Sequence, residues 1–541
     1  MPSNDGTSAS RERNPMARPK KAEAARPSTT KELQDLLWAS ADKLRGSMDA
    51  SQYKDVVLGL VFLKYVSDAF DERRQAIRAE LEADPIAYDE DDILATMEDP
   101  DEFAGSGVFW VAAPARWSFL ADHARGTETQ TVGELINAAM IALMGDNKAL
   151  AGTLPTIFNT ESVDQRRLGE LIDLLNSAHF AGEGATKARD LLGEVYEYFL
   201  GKFAAAEGKR GGEFYTPPSV VRVLVEMMRP EQGRIYDPCC GSGGMFVQAE
   251  KFLDAHHKNR TALSVYGQEL NERTWRMARM NLAIHGINGN LGASWEDTFA
   301  NDLHPSLEAD FVLANPPFNI KDWARREDDL RWRFGVPPAR NANYAWLQHI
   351  ISKLAPGGQA GVVLANGSMS SNSGGEGLIR AQIVEADLVS CMVALPTQLF
   401  RSTGIPVCLW FLHKAKGARA GQVLFIDARE LGRMVDRAER VLEPKEIQSI
   451  ANTYHAWLGL PAAEGTPYAD VPGFCYSASI AEVKDADYAL TPGRYVGSPE
   501  PSEDAEDLDD KIARLTADLL AAMDESQRLD AVVREQLGRL G

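Results

Sequence analysis

Apolar residues recur at helical spacing along the first third of the chain. Leu33, Leu36, Leu37 and Leu44 form one such series, with Thr30 placed to cap a helix that starts near Lys31. Val56, Leu60, Leu63 and Tyr65 carry a second helix, and residues 29–200 read as mostly helical. The acidic, Pro-punctuated residues 80–102 read as a loop. Helical period returns with Leu191, Leu192, Val195, Tyr196 and Phe199. From about residue 212 the texture changes, and short β-rich runs alternate with helical patterns. Strands are expected at 234–236, 264–266, 311–313, 361–364, 388–395, 408–412 and 423–426. That alternation implies βαβ units and a mostly parallel sheet covered on both faces.

Two terminal segments break the pattern. Residues 1–28 hold six basic and three acidic residues and almost no large apolar ones, which predicts a disordered basic tail. Residues 501–541 place Leu508, Ile512, Leu515, Leu519, Ala522, Ser526, Leu529 and Val533 at alternating steps of four and three, a heptad seam. A lone helix with one apolar stripe needs a partner, either its own protein or another subunit. The expected organisation is therefore a tail over 1–28, a helical domain over 29–185, an α/β domain over 186–430, a mixed region over 431–500 and a heptad helix over 501–541. The chain's 541 residues exceed what one hydrophobic core holds.

Composition changes this picture in two ways. Hydrophobic residues at 44% and charged residues at 25% are ordinary for a globular protein, and no apolar run reaches membrane-spanning length. The five cysteines, Cys239, Cys240, Cys391, Cys408 and Cys475, show no metal-ligand spacing, which suits reduced thiols in a cytoplasm. The net charge of −21 argues against broad nonspecific binding to nucleic acid, so a nucleic-acid enzyme of this composition needs a local basic cleft or a basic partner.

The chemistry concentrates at strand ends. Asp237-Pro238-Cys239-Cys240-Gly241-Ser242-Gly243-Gly244 lies between an expected strand and an expected helix. Glycines there let a ligand approach the backbone, and the helix start offers N–H groups to a carboxylate. A dinucleotide site wants a third glycine where this chain has Phe246, so the spacing favours another ligand of the same fold, such as S-adenosylmethionine. The alternative is a plain glycine turn before a helix. Glu269, at the end of the second strand, is placed to accept hydrogen bonds from ribose hydroxyls. Asp297, after the third βα unit, is placed either to accept from an adenine amine or to cap a turn.

Asn315-Pro316-Pro317-Phe318 ends the strand 311–313. The amino group of adenine is a poor nucleophile because its lone pair is delocalised into the ring. An Asn oxygen and a neighbouring carbonyl can accept both amine hydrogens and aim that lone pair at a methyl donor. Two prolines stiffen the loop and bring no N–H, and the aromatic ring can stack on the base. A base inside a duplex must first be flipped out to reach such a pocket. The transfer is an in-line displacement governed by positioning, so neither metal nor covalent nucleophile is required. Downstream, Lys321, Arg325, Arg326, Arg331, Arg333 and Arg340 interleave with Trp323, Trp332 and Phe334. This stretch suits phosphate and base contacts, or a solvated loop with buried tryptophans.

In this order the motifs resemble the modification (M) subunits of type I restriction–modification DNA methyltransferases, over about residues 30–500. Gly212-Glu213-Phe214-Tyr215-Thr216-Pro217 looks like that family's first cofactor motif, whose Tyr and Thr contact S-adenosylmethionine. From the residues alone it reads as a turn. The runs 51–65, 190–200, 399–406 and 492–496 also look typical of the family. The resemblance implies a Rossmann-like methyltransferase sheet between an N-terminal helical domain and a C-terminal helical extension. It implies a gamma-class enzyme that makes N6-methyladenine in duplex DNA. It further implies a separate specificity (S) subunit that reads the sequence, two M chains per S chain, room for a restriction (R) subunit, and a heptad helix docked on the S subunit. Competing readings are a stand-alone adenine methyltransferase, an RNA or protein-glutamine methyltransferase, a non-catalytic assembly subunit and a nicotinamide oxidoreductase.

Overall fold

The structure is a computed structural model that describes residues 30–42, 50–84, 88–177, 193–203, 216–400, 404–437, 439–460 and 467–498, and most of 512–529. The expected tail over 1–28 lies outside the described residues, as do Glu213, Phe214 and Tyr215. By contact the chain divides into two compact units, one of residues 1–210 with 271–288 and one of 211–270 with 289–541.

The first unit is helical. Its spine is the 34-residue helix Ala50–Ala83, whose Val56, Leu60, Leu63 and Phe70 are buried. Around them pack Leu120, Ile136, Leu143, Leu168 and Ile172 from the helices Trp117–Asp122, Val132–Asp146 and Gln165–Ser177. Thr131 and Glu134 form a reciprocal capping box that fixes where the helix Val132–Asp146 begins. The expected loop over 80–102 is instead largely helical. Asp89 and Asp99 cap the short helices Glu90–Met97 and Pro100–Ala104. The acidic residues that suggested a loop thus sit where a helix start favours negative charge.

The helix Glu272–Ile284 also belongs to this unit, although it falls in sequence within the α/β region. Met277, Met280 and Ile284 join the helical core. The Tyr65 hydroxyl donates to the Ile284 carbonyl at 2.5 Å, and His285 lies 2.9 Å from Glu197.

The second unit is built on a sheet. Its strands in chain order are β1 (Gly233–Asp237), β2 (Leu263–Gly267), β3 (Gly289–Asn290), β4 (Ala309–Ala314), β5 (Leu354–Ala365), β6 (Val389–Ala394), β7 (Val407–His413), β8 (Gln422–Asp427), β9 (Arg433–Met434), β10 (Arg440–Val441) and β11 (Cys475–Ser479). Nine of them form one sheet in the order β11-β8-β6-β7-β5-β4-β1-β2-β3, and β9 and β10 make a small separate ribbon. β1 pairs in parallel with both β2 and β4, and β4 with β5. β7 runs antiparallel between β5 and β6. Every residue of β6 is buried, as are six of the seven in β7, so these strands are covered on both faces. The sheet is α/β in class, with the antiparallel strands at one side.

The region over 431–500 is more regular than its patterning suggested. Glu443 and Glu446 form a capping box that starts the helix Pro444–Leu458, and β11 pairs antiparallel with β8 to extend the sheet edge. The run Cys-Tyr-Ser-Ala-Ser of β11 carries too little apolar alternation to announce a strand. At the far end, the described residues over 512–529 are helical and all exposed, Ile512, Leu515, Leu519 and Leu529 included. Leu508, Ala522 and Val533 of the same stripe lie outside the described residues. Among the described residues no helix is long and apolar enough to cross a membrane.

Candidate active site at the ends of the parallel strands

The chain passes from β1 outward through β2 and β3, then returns to the other side of β1 at β4. Such a reversal opens a crevice at the carboxyl ends of the two central strands, where α/β sheets bind ligands. The motifs singled out from sequence converge there: the glycine loop leaves β1, Glu269 follows β2, and Asn315 follows β4.

The glycine loop is held through its main-chain amides and its glycine conformations. Gly241 and Gly243 have φ of 54° and 80°, which side chains rarely adopt. Ideal Cβ atoms at Gly241 and Gly244 would meet nothing within 4 Å, so these two positions border open space. The helix Gly244–Ala255 starts with no side-chain cap, which leaves its first N–H groups to a ligand. The Asp237 carboxylate accepts from the Cys239 amide at 3.0 Å, and the Cys240 amide donates to the Gln268 carbonyl at 3.0 Å. The Glu269 carboxylate accepts from the Gly241 amide at 3.0 Å. Glu269 therefore braces the loop as well as facing the crevice.

Burial and the nearby Glu269 charge push the Asp237 carboxyl up to about 7, against the Cys239 bonds that favour the ionised form. Burial also raises the Cys239 and Cys240 thiols well above their ordinary value, so they are neutral and poorly nucleophilic.

Asp297 lies on the loop between β3 and β4. Its Oδ1 accepts from the Phe299 amide at 2.8 Å and the Ala300 amide at 3.4 Å, which makes it a turn residue. The adjoining Thr298 hydroxyl donates to the Pro238 carbonyl at 2.6 Å and ties this loop to the glycine loop. Gln268, fully buried, completes the arrangement. Its amide donates to the carbonyls of Glu296 and Asn301 at 3.2 and 2.8 Å, and its oxygen accepts from the Leu303 amide at 3.0 Å.

The Asn-Pro-Pro-Phe loop is held by side chains. Asn315 Nδ2 donates to Thr216 Oγ1 at 2.8 Å, across 99 residues of sequence. That bond fixes the amide plane and assigns the accepting role to Oδ1. Thr216 and its neighbour Pro217 precede the helix Pro218–Met228, which starts with Pro217 in the N-cap position. Pro316 is buried and Pro317 half-buried, while Phe318 packs edge-on against Phe400 with centroids 5.9 Å apart. Asn319 follows with φ of 54°. Its amide donates to Asn343 Oδ1 at 3.1 Å, and its Oδ1 accepts from Asn343 Nδ2 at 2.9 Å and Asn341 Nδ2 at 3.4 Å. Three asparagines thus stabilise a left-handed residue directly after the motif.

The basic stretch over 321–340 divides. Arg325 and Arg331 turn inward, and Lys321, Arg326, Arg333 and Arg340 stay exposed. Trp323 and Trp332 pack with Phe299 and Trp346 in a small aromatic core.

Several of these residues carried no signal in the sequence. Gln268, Thr298 and the asparagines at 319, 341 and 343 are single polar residues in no motif. Leu270, 64% exposed immediately after Glu269, is an apolar surface beside the crevice. A large apolar residue directly after a strand-end carboxylate was the signal available for it.

A family described as N-6 DNA Methylase matches residues 187–504, and one described as HsdM N-terminal domain matches residues 33–175. The chain is 46% identical over 446 residues to the type I restriction enzyme HindI methylase subunit of Haemophilus influenzae, covering 79% of this chain and 99% of that one. It is 37% identical over 526 residues to the type I restriction enzyme MjaIX methylase subunit of Methanocaldococcus jannaschii, covering 95% and 92%. Among solved structures it is similar to the type I restriction-modification system methyltransferase subunit from Streptococcus thermophilus. That likeness has a TM-score of 0.71 and 26% identity over 87% of this chain and all of that one.

Proposed function

The chain belongs to the N-6 DNA methylase family, among the methylase subunits of type I restriction enzymes, and from that premise we propose how its site works and with what partners. It is an adenine-specific DNA methyltransferase that places a methyl group on N6 of adenine in duplex DNA. The observation that carries the assignment of roles is the bond from Asn315 Nδ2 to Thr216, which orients the amide at the end of β4.

S-adenosylmethionine supplies, when bound, a methyl group already activated on a sulfonium. The residues present fit it. The glycine loop borders open space and leaves the first N–H groups of a helix for its carboxylate. Glu269 is positioned for the ribose hydroxyls, and Asp237, Ser242, Gly243 and Gly244 shape the floor. Asp297 keeps one carboxylate oxygen in a turn and offers the other to the adenine edge. Thr216 and Pro217, with Glu213, Phe214 and Tyr215 of the same sequence motif, are assigned to the cofactor by the family resemblance.

On the substrate side, Asn315 Oδ1 accepts one hydrogen of the target amine and the Pro316 carbonyl accepts the other. Both bonds localise the nitrogen lone pair. Pro317 keeps the loop rigid and Phe318 stacks on the flipped base. No charged base is needed before the displacement, because the amine loses its proton only after the new C–N bond has formed. We assign the reaction no metal.

Sequence recognition and much of the DNA contact fall to a specificity subunit, two of these chains per specificity chain, with a restriction subunit as a further partner. This answers the net charge of −21, which by itself repels DNA. The exposed apolar residues of 512–529 are the docking stripe for the specificity subunit. Acting on chromosomal DNA places the enzyme in the cytoplasm.

Methyl transfer from labelled S-adenosylmethionine to unmethylated DNA, followed by digestion to nucleosides, tests this reading. Label in N6-methyladenosine is expected when the specificity subunit is present. Label with this chain alone would instead make it self-sufficient, and label in RNA or protein would replace the acceptor. Removal of residues 505–541 is expected to leave cofactor binding intact and to weaken the assembly. An unchanged complex size on gel filtration would remove the stripe's assigned role.

A further inference from the structure

Leu330 is 99% exposed, the highest value among the described large hydrophobic residues. Its loop is not loose. Asp329 to Trp332 form a turn closed by the Trp332 amide on the Asp329 carbonyl at 3.0 Å, with Leu330 at the first corner. Turn corners ordinarily carry proline or polar residues, since an apolar side chain there buries nothing.

The residues on either side are fixed. The Arg331 guanidinium has five N–H donors, and all five are directed. Nε and Nη2 grip the Asp329 carboxylate, with Nε to Oδ1 at 2.9 Å and Nη2 to Oδ2 at 2.5 Å. Nη2 also reaches the Phe299 carbonyl at 2.8 Å. Nη1 reaches the Thr298 carbonyl at 2.9 Å and His349 Nδ1 at 3.1 Å. His349 can accept there because burial drives its imidazole down to about 3 and keeps it neutral. Its Nε2 lies 3.2 Å from the Tyr236 hydroxyl on β1. The Trp332 indole donates to the Arg326 carbonyl at 2.6 Å and the Phe334 amide to Gln348 at 2.8 Å.

The turn is therefore bolted to the loop that carries Asp297 and, through His349, to β1, and it lies on the segment that leads on from Asn315–Phe318. Leu330 is the part of this rigid assembly that no packing uses. Lys321, Arg326, Arg333 and Arg340 stand exposed on the same segment, where phosphates would be met.

We propose that Leu330 is a wedge that enters the base stack of duplex DNA and fills the gap left by the departing adenine. The proposal rests on the adenine-flipping reading above. An extruded base leaves an unstacked hole, and an apolar side chain held out on a stiff turn stabilises that hole without reading sequence. Arg331 and Asp329 are positioning residues for it, since they touch neither base nor cofactor.

The test uses the complex with the specificity subunit and two duplexes that differ only opposite the target adenine, one paired with thymine and one with an abasic site. Leu330→Ala is expected to lower kcat/KM about tenfold or more on the paired duplex and to recover to near wild type on the abasic one, where the pair is already broken. Leu330→Phe, which keeps the bulk, is expected to stay near wild type on both, and cofactor affinity is expected to be unchanged throughout. Equal activity of Leu330→Ala and wild type on the paired duplex would overturn the proposal. An equal loss on both duplexes would also overturn it, by making Leu330 an ordinary contact. Loss of the complex itself would make the turn a subunit contact and overturn it too. If wild type methylates adenine in neither duplex, the reading of the reaction fails and the wedge with it, an outcome distinct from a variant-specific one.

Discussion

Two loops leave the sheet at neighbouring strand ends, and they are stiffened in opposite ways. The loop after β1 is held through its own amides: the Gly241 amide on the Glu269 carboxylate, the Cys240 amide on the Gln268 carbonyl, and positive φ at Gly241 and Gly243. The loop after β4 is held by side chains: Asn315 on Thr216, Asn319 between Asn341 and Asn343, and Phe318 against Phe400. A cofactor always arrives in the same form, so a backbone cradle whose N–H groups and glycines cannot be varied suits it. A flipped base must be met by an acceptor aimed within a few degrees, and only a side chain locked by other side chains supplies that. On the proposed reading, the first loop serves affinity and the second serves rate.

The largest expected effect falls on rate. Asn315→Ala removes the proposed acceptor for the target amine, and kcat is expected to fall by about a thousandfold, the scale seen when an aligned transition-state hydrogen bond is deleted. Single-turnover transfer at saturating cofactor measures it. Next comes affinity. Glu269→Ala removes the brace on Gly241 and, on the proposed reading, the ribose acceptor, so the dissociation constant for S-adenosylmethionine is expected to rise roughly 10- to 100-fold. Calorimetric titration reads it directly.

Thr216→Val sharpens the comparison further. It keeps the shape but deletes the acceptor for Asn315 Nδ2, and one such bond corresponds to about a tenfold loss in kcat. A change in cofactor affinity without a change in kcat would place Thr216 with the first loop instead.

A further prediction concerns pH. The folded protein holds the Asp237 proton up to about 7, whereas the ordinary carboxyl releases it at 3.8. The folded state thus binds more protons across that window. This residue's contribution to stability is greatest below the window and declines as pH rises through it. Asp237→Asn is expected to flatten that decline in denaturant titrations run from about pH 4 to about pH 8. An unchanged slope would mean that the carboxyl titrates normally.

What the sequence made legible follows the same division. Glycines at fixed steps after an apolar run, and Asn-Pro-Pro-Phe after another, are local signals, and the strands leading to them are short and strongly apolar. The supports of the second loop were hidden because they are long-range: Thr216 lies 99 residues from Asn315, and Asn343 lies 24 from Asn319. Arg331 suited either a phosphate contact or a solvated loop, since its charge is visible in the sequence and its five acceptor atoms are not. The helix Glu272–Ile284 showed an apolar face, but periodicity does not say which core receives it, and it packs in the helical unit. The acidic run over 80–102 misled for the opposite reason, because aspartates that cap helices look like loop residues until the helix is seen.

The separation of affinity from rate is tested most directly by taking Glu269→Ala and Asn315→Ala through the same pair of assays, cofactor titration and single-turnover methylation at saturating cofactor. The account predicts a crossed result, with Glu269→Ala weak in binding but close to wild type in rate once saturated, and Asn315→Ala normal in binding but slowed about a thousandfold in transfer. If Asn315→Ala also loses the cofactor, or Glu269→Ala stays inactive when saturated, the two loops form one structural unit and the division of labour is wrong.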